Sequence, residues 1–399
     1  MSSLKEKLRI FPVEWGLLPY IITAIILGIV CGMIFPVWLG RIFITFNHLF
    51  GQFLGFAVPL IILGLIAPGI SELGREAGKM LLATVVLAYG FTLLAGFFAY
   101  GSAALIYPYL LHPVGSLAVF EAPQELVPYF TLQIAPMFDV ITALAFAFVL
   151  GLGMAFTESQ AIKKVLFEFR DIIYKVISKV IIPLLPLYIF GIFMGMTISG
   201  QVVAVLEVFA KIILLLFILT LVMLLIQFLI ASTFAKKNPL KMLRIMLPAY
   251  FTALGTSSSA ATIPVTYKQV QKLGVREGVA GFTVPLCANI HMSGSTIKIT
   301  ACALAILLMT GTEVDFWQFA GFICMLGVSI VAGPGVPGGA IMAALGVLQK
   351  MLGFNEQMLG LMIALYIAMD SFGTACNVTG DGAIAVIVDK LYPEKNHWI

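Results

Sequence analysis

The stretch Gly255-Thr256-Ser257-Ser258-Ser259-Ala260-Ala261-Thr262-Ile263-Pro264-Val265-Thr266 decides how the rest of the chain is read. It is a run of small, hydroxyl-rich residues with a proline, set among 399 residues of which 61% are hydrophobic and 11% charged. Soluble domains carry roughly a quarter charged residues, so a bilayer is the solvent for most of this surface. In hydrocarbon every backbone N–H and C=O must be satisfied internally. Irregular polar backbone persists at membrane depth only where protein or a cavity encloses it. The stretch therefore reads as the tip of a re-entrant hairpin at a solute-binding site.

Upstream of it, apolar runs of about 20 residues or more, the length that crosses the hydrocarbon core, lie near 16–38, 42–67, 80–107, 128–156, 172–198 and 202–234. Basic residues fall at alternate ends of these runs, Arg41 being the main exception: Lys5, Lys7 and Arg9, then Arg75 and Lys79, Lys163 and Lys164, and Lys236, Lys237, Lys241 and Arg244. Cytoplasmic loops concentrate Lys and Arg, which places the N-terminus and residue 240 in the cytoplasm. The segment 240–270 then enters and returns at Lys268, Lys272 and Arg276, too short for two crossings. Residues 278–309 cross outward, broken around Asn289 to Ser295. Residues 318–350 are split by Gly333-Pro334-Gly335-Val336-Pro337-Gly338-Gly339, which cannot be continuous helix and reads as a second hairpin, entering from outside. Residues 357–390 cross back, leaving a cytoplasmic tail at 393–399. Hairpins entering from opposite sides are the pattern of inverted repeats whose discontinuous helices meet at the midplane. The expected fold is an all-α integral membrane protein of the cell (inner) membrane, with eight transmembrane helices, two re-entrant helical hairpins and both termini cytoplasmic.

The net charge of +4 is dispersed and makes no nucleic-acid patch. Cys31, Cys287, Cys302, Cys324 and Cys376 lie in apolar segments without metal-ligand spacing and read as buried free thiols. The apolar run behind the basic Met1–Arg9 is too long for a cleaved signal peptide.

Ionisable residues inside membrane spans are candidates for function. In the second half they are Lys298, Asp370 and Asp381, with His291 between the hairpins. Asp370, Thr374, Asn377 and Asp381 recur at spacings of four, three and four and share one face of the last helix. Such a stripe serves either as packing glue or as a pair of carboxylates, one for an ammonium group and one for a cation. Carboxylate, amide and backbone carbonyl oxygens suit an alkali ion.

These residues carry a resemblance. Gly255 to Thr266 resembles the serine-rich hairpin of the glutamate transporter family, the dicarboxylate/amino acid:cation symporters. Gly335-Val336-Pro337-Gly338 resembles the tip of that family's second hairpin, and Asn377-Val378-Thr379-Gly380-Asp381 the signature of its last helix. The resemblance is sharp from about 250 to 392 and implies an elevator-type symporter that forms a homotrimer. It implies a scaffold at 1–75 and, with the trimer contacts, at 111–199, and a mobile transport domain at 76–110 and 200–392. It places Ser258 and Ser259 on the carboxylate of an amino acid substrate and Asp370 on its amine. Val336, Gly338, Gly373, Thr374 and Asn377 would line the site, and Asn377 with Asp381 would hold sodium.

The departures change the expected substrate and coupling. Acidic-substrate members have an arginine three residues after the amine-binding aspartate; here Gly373 stands there. Arginine is the bidentate partner of a side-chain carboxylate, so a small neutral amino acid is expected, with room left by the glycine. The alternative is a dicarboxylate or acidic amino acid, with Lys298 supplying the missing charge. The family's Asn-Met-Asp-Gly-Thr break is here His291-Met292-Ser293-Gly294-Ser295, and its third-span ligands fall on Thr84, Leu87 and Ala88. The sodium set is therefore reduced to a partial site of Asn377, Asp381, His291 and the backbone near Cys287, and a site of hairpin carbonyls from Val331 to Gly333. His291, Ser293 and Lys298 are candidates for coupling by protons or by a fixed internal cation. An intramembrane serine protease would need a general base beside its serine and an oxyanion hole, and would leave both aspartates unexplained. A channel would not need two hairpins as gates. If Asp370 receives the amine, Asp370→Ala is expected to abolish the rise in Tm that amino acids give the purified protein; an unchanged rise would refute that role.

Overall fold

A computed structural model describes residues 18–72, 78–110, 127–137, 140–157, 160–200, 202–331 and 338–392. The expectations for Lys5, Lys7, Arg9, Arg75, Gly333, Gly335, Val336, Pro337 and the 393–399 tail lie outside the described residues. Among the described residues the fold is all helical: α1 Leu18–Ile34, α2 Val37–Glu72, α3 Gly78–Leu110, α4 Val140–Thr157, α5 Gln160–Val176, α6 Ile182–Ile198, α7 Val202–Ala235, α8 Pro239–Thr256, α9 Ser259–Lys272, α10 Glu277–Ile290, α11 Ser293–Met309, α12 Phe316–Val331, α13 Gly339–Leu352, α14 Glu356–Ala368 and α15 Asp370–Leu391. Six helical runs, Val37–Pro68, Lys79–Leu110, Gln160–Ile198, Val205–Ala235, Glu277–Met309 and Asp370–Leu391, are long and apolar enough to cross a membrane.

Three expectations need correcting. The span expected at 128–156 is not helical at its start: residues 127–137 are irregular and α4 begins at Val140. Pro128 and Pro136 lack the N–H a helix would use, and the segment is tied to α2 instead. Arg41 Nε donates to Val127 O at 2.9 Å, the Tyr129 N–H to Thr45 Oγ1 at 2.9 Å, and the Ile134 N–H to Gln52 Oε1 at 3.3 Å. The span expected at 172–198 begins earlier, at Gln160, and runs through a π turn at Ile177–Ile181. There the Ile182 N–H donates to Ile177 O, five residues back, just ahead of Pro183, which has no N–H. The expected crossing at 357–390 is two helices, α14 and α15, separated by Met369.

The helices pack in two groups. One comprises α1, α2, α4, α5 and α6, with α1 on α6 and α2 on α4 as its main contacts. The other comprises α3 and α7 to α15, with α11 on α3 and α15 against α7, α8, α10 and α11. Small residues let the first group close up: Gly28-x-x-x-Gly32 of α1 lies on α6, where a Cβ at Gly28 would come within 2.6 Å of Phe190 O and one at Gly32 within 2.9 Å of Met194 O. Glu356, at the start of α14, joins the groups: it accepts from Gln52 Nε2 at 3.0 Å, lies 3.4 Å from His48 Nδ1, and receives the Tyr188 hydroxyl on its carbonyl at 2.7 Å.

The first hairpin follows from its caps. Asn238 Oδ1 accepts from the Leu240 and Lys241 N–H groups at 2.9 and 3.2 Å, and Pro239 occupies the first turn of α8. At the other end Ser257 turns the chain at φ 48, and Ser258 Oγ caps α9 by accepting from the Ala261 N–H at 3.3 Å. With 18 and 14 residues its two helices are short for full crossings.

Gly28→Leu is expected to separate α1 from α6 at a backbone contact and to lower stability by about 1–3 kcal/mol, read as a reduced Tm of the purified protein. An unaltered Tm would mean that this contact does not fix the packing.

Candidate functional site

Three helix N-termini, those of α9, α11 and α15, begin at short breaks, Ser257–Ser258, His291–Met292 and Met369, and that of α13 follows Gly338. Each carries partial positive charge from its unpaired N–H groups. The α8–α9 turn and the start of α13 reach α15 at adjacent residues. Ser257 Oγ lies 2.7 Å from Ser371 Oγ, and the Gly338 N–H donates to Asp370 Oδ2 at 2.8 Å.

Asp370 is 6% exposed, and its other oxygen accepts from Lys298 Nζ at 3.1 Å. Lys298 is fully buried on α11, and its ammonium sits 3.7 Å from the centroid of the Tyr366 ring. Gly373 makes room for it: a Cβ there would stand 2.5 Å from Lys298 Nζ and clash with Cε. The space expected to serve a small substrate at Gly373 is thus filled by Lys298, and the carboxylate expected to await an amine already holds an internal ammonium. The α11 and α15 backbones approach closely enough for this because Gly294 packs on the Gly373 carbonyl.

Asp381 is 1% exposed and pairs with His291, whose Nδ1 lies 2.9 Å from Asp381 Oδ1 and 3.1 Å from Asn377 O. Two oxygen acceptors on that side require Nδ1 to carry a proton. On the far side Nε2 faces Ser293 Oγ at 2.9 Å and Gln227 Nε2 at 3.2 Å, both able to donate to it. Gln227 Nε2 also reaches Ser293 Oγ at 3.0 Å, and Gln227 Oε1 is buried without a partner. The oxygens that suit an alkali ion, Asp381 Oδ1 and Asn377 O, therefore converge on an imidazole N–H. In this arrangement they do not fit a sodium ion, because the ring stands in its place. Among the described residues no cluster of three or more His, Cys, Asp or Glu side chains is placed to hold a metal.

The remaining expected residues divide as follows. Ser259 is buried at 8% exposure behind the capping Ser258, and Thr374 is buried one turn below Asp370. Asn377 is committed to the helix break: its Oδ1 accepts from the Gly294 N–H at 2.7 Å and its Nδ2 donates to Ser295 Oγ at 3.2 Å. The Cys287 carbonyl accepts the His291 N–H at 2.8 Å, closing α10. Val331 ends α12, while Gly333 and Val336 lie outside the described residues. Thr84 gives its hydroxyl to Met80 O of its own helix at 2.8 Å. The cysteines are all free, but Cys324 is exposed and Cys31 only partly covered, since both lie on outward helix faces; the expectation of five buried thiols holds for Cys287, Cys302 and Cys376.

Sequence reasoning missed Gln227, Tyr366, Ser371 and Thr92, whose Oγ1 accepts the Met292 N–H at 3.2 Å. Gln227 carried a signal: it is an amide deep in the apolar α7. The hydroxyl of Tyr366 lies 3.1 Å from Ser295 Oγ, a contact made only through the fold.

The family model described as the sodium:dicarboxylate symporter family matches residues 17–391. A serine/threonine transporter SstT of Acinetobacter baylyi is 27% identical over 94% of this chain and 97% of its own length. One from Acinetobacter baumannii strain AYE is 28% identical over 94% and 96%. Excitatory amino acid transporter 2 of Mus musculus is 28% identical over 68% of this chain and 48% of its own length. This chain belongs to the sodium:dicarboxylate symporter family and is a multi-pass membrane transporter of the amino acid and dicarboxylate type.

Proposed function

We propose that this protein is a symporter for a small neutral amino acid, working by an elevator movement and driven by sodium, protons or both through an altered set of cation sites. The observation that carries the reading is the meeting of both hairpins on Asp370 and Ser371, with the Gly338 and Ser257 contacts at 2.8 and 2.7 Å. Two gates that close on adjacent residues of one buried helix enclose a solute between them. The helix N-termini there favour a carboxylate, and the serine/threonine transporters among the relatives support a small hydroxyl or alkyl side chain. The packing into two groups supports a scaffold of α1, α2, α4, α5 and α6 and a moving body of α3 and α7 to α15. In this reading three copies assemble through the scaffold in the cell (inner) membrane, with both termini cytoplasmic.

The alternative, a dicarboxylate or acidic amino acid with Lys298 in the role of arginine, needs a cation with charge to spare. Lys298 gives its charge to Asp370 at 3.1 Å, which favours the neutral substrate. For coupling, the Asn377–Asp381 site holds His291. That leaves sodium to the hairpin carbonyls near Val331 and makes His291 the candidate for a proton, with Ser293 and Gln227 as the groups that orient its ring.

Uptake of L-serine into proteoliposomes under separately imposed gradients tests this. An inward proton gradient is expected to drive uptake in the wild type and not in His291→Gln. Strict sodium dependence with no response to a pH gradient would sink the proton version. Uptake of succinate in preference to serine would sink the neutral amino acid.

A further inference from the structure

We propose that Lys298 occupies, in the substrate-free protein, the place of the substrate's ammonium group, and that this makes the site selective for zwitterions. The inference rests on the amino acid reading above and adds the device that enforces it.

Lys298 comes from α11, not from the helix that carries Asp370, and its side chain crosses the open face of Gly373 to get there. An ammonium has three donors. Among the described residues Asp370 Oδ1 accepts one at 3.1 Å and the Tyr366 ring face takes another side of the group at 3.7 Å. No further acceptor reaches it. Asp370, by contrast, is satisfied on both oxygens, with the Gly338 N–H on Oδ2. The pair is therefore a full carboxylate joined to an ammonium that still has donor capacity.

A carboxylate this buried cannot release its cation without receiving another. A ligand with both charges meets that condition. Its ammonium replaces Lys298 on Asp370 Oδ1, and its carboxylate takes the displaced Lys298 together with the serine hairpin beside Ser371. One ion pair becomes two, and no charge is stranded before or after. A carboxylate without an amine would put two anions on one ammonium. An amine without a carboxylate would displace Lys298 and leave it unpaired. A dicarboxylate would crowd three carboxylates round a single cation. The same exchange leaves the Gly338 bond to Oδ2 in place, so the second hairpin need not let go of Asp370 for the substrate to be recognised.

Thermal unfolding of the purified full-length protein, with L-serine, L-alanine, L-lactate, ethanolamine and succinate as separate probes, tests this. The wild type is expected to be stabilised by the two amino acids, with at least about tenfold more of each other probe needed for an equal shift, since a site built for a polar group rejects ligands lacking it. Lys298→Met is expected to admit ethanolamine, and Asp370→Asn to admit L-lactate while losing the preference for amino acids. The double variant is expected to fold and to respond to none. Gly373→Ala retains both charges and crowds Lys298, whose Cε, Nζ and Cδ are the atoms nearest a Cβ there. It is expected to lower the substrate-free Tm and enlarge the shift given by L-serine, and it carries the test if the single charge variants do not fold. An unchanged ligand profile in Lys298→Met, or a Gly373→Ala protein with the wild-type shift, would make Lys298 a structural strut and overturn the proposal. Stabilisation of the wild type by succinate or L-lactate but by neither amino acid would overturn the amino acid reading itself, and this inference with it.

Discussion

A carboxylate in a water-poor interior must have a cation or a strong hydrogen-bond donor as partner, and that constraint governs the half of this protein that carries Asp370 and Asp381. Asp370 and Asp381 are 6% and 1% exposed. Breaking a buried ion pair by removing one partner costs roughly 3–5 kcal/mol. Here both partners come from the α10–α11 segment: the His291 imidazole N–H at the break and the Lys298 ammonium in the helix that follows. The spacing of eleven between Asp370 and Asp381 is close to three helical turns, so both carboxylates share one face of α15. The break at His291 and the first turns of α11 both lie against that face.

That contact needs close backbones, and glycine supplies them. Gly294 packs on the Gly373 carbonyl, Gly373 lies under Lys298, and Gly380 packs against His291, where a Cβ would come within 2.5 Å of Cε1. Any side chain at these positions would hold the helices apart and lengthen the ion pairs. The breaks serve the same geometry. The interruption at His291–Met292 frees the imidazole to turn toward Asp381, and Asn377 closes it by accepting the Gly294 N–H at 2.7 Å. The interruption at Met369 puts Asp370 in the first turn of α15, where the helix dipole favours a negative charge. The buried polar pairs and the helix discontinuities are thus one feature seen from two sides.

Much of this was legible in the chain because its signals are local. The serine run, the Pro and Gly cluster at 333–339 and the alternating Lys and Arg each act within a few residues, and the order of three motifs placed the chain in its family. Where local signals misled, tertiary contact had won. Residues 127–137 look apolar enough to span, but their prolines and their bonds to Arg41, Thr45 and Gln52 hold them as irregular chain. Gly373 looked like space for a substrate because nothing near it in sequence could fill it.

The sequence by itself determined a membrane-embedded helical transporter whose last helix presents two carboxylates on one face, since period and composition are properties of neighbouring residues. Only the tertiary structure decided that Lys298 meets Asp370, that His291 meets Asp381, and that Gln227 and Tyr366 complete those pairs. Those contacts join residues 64 to 90 positions apart. They depend on how closely and at what rotation two helices pack, and a long side chain can reach several positions on its neighbour, so spacing alone cannot choose among them.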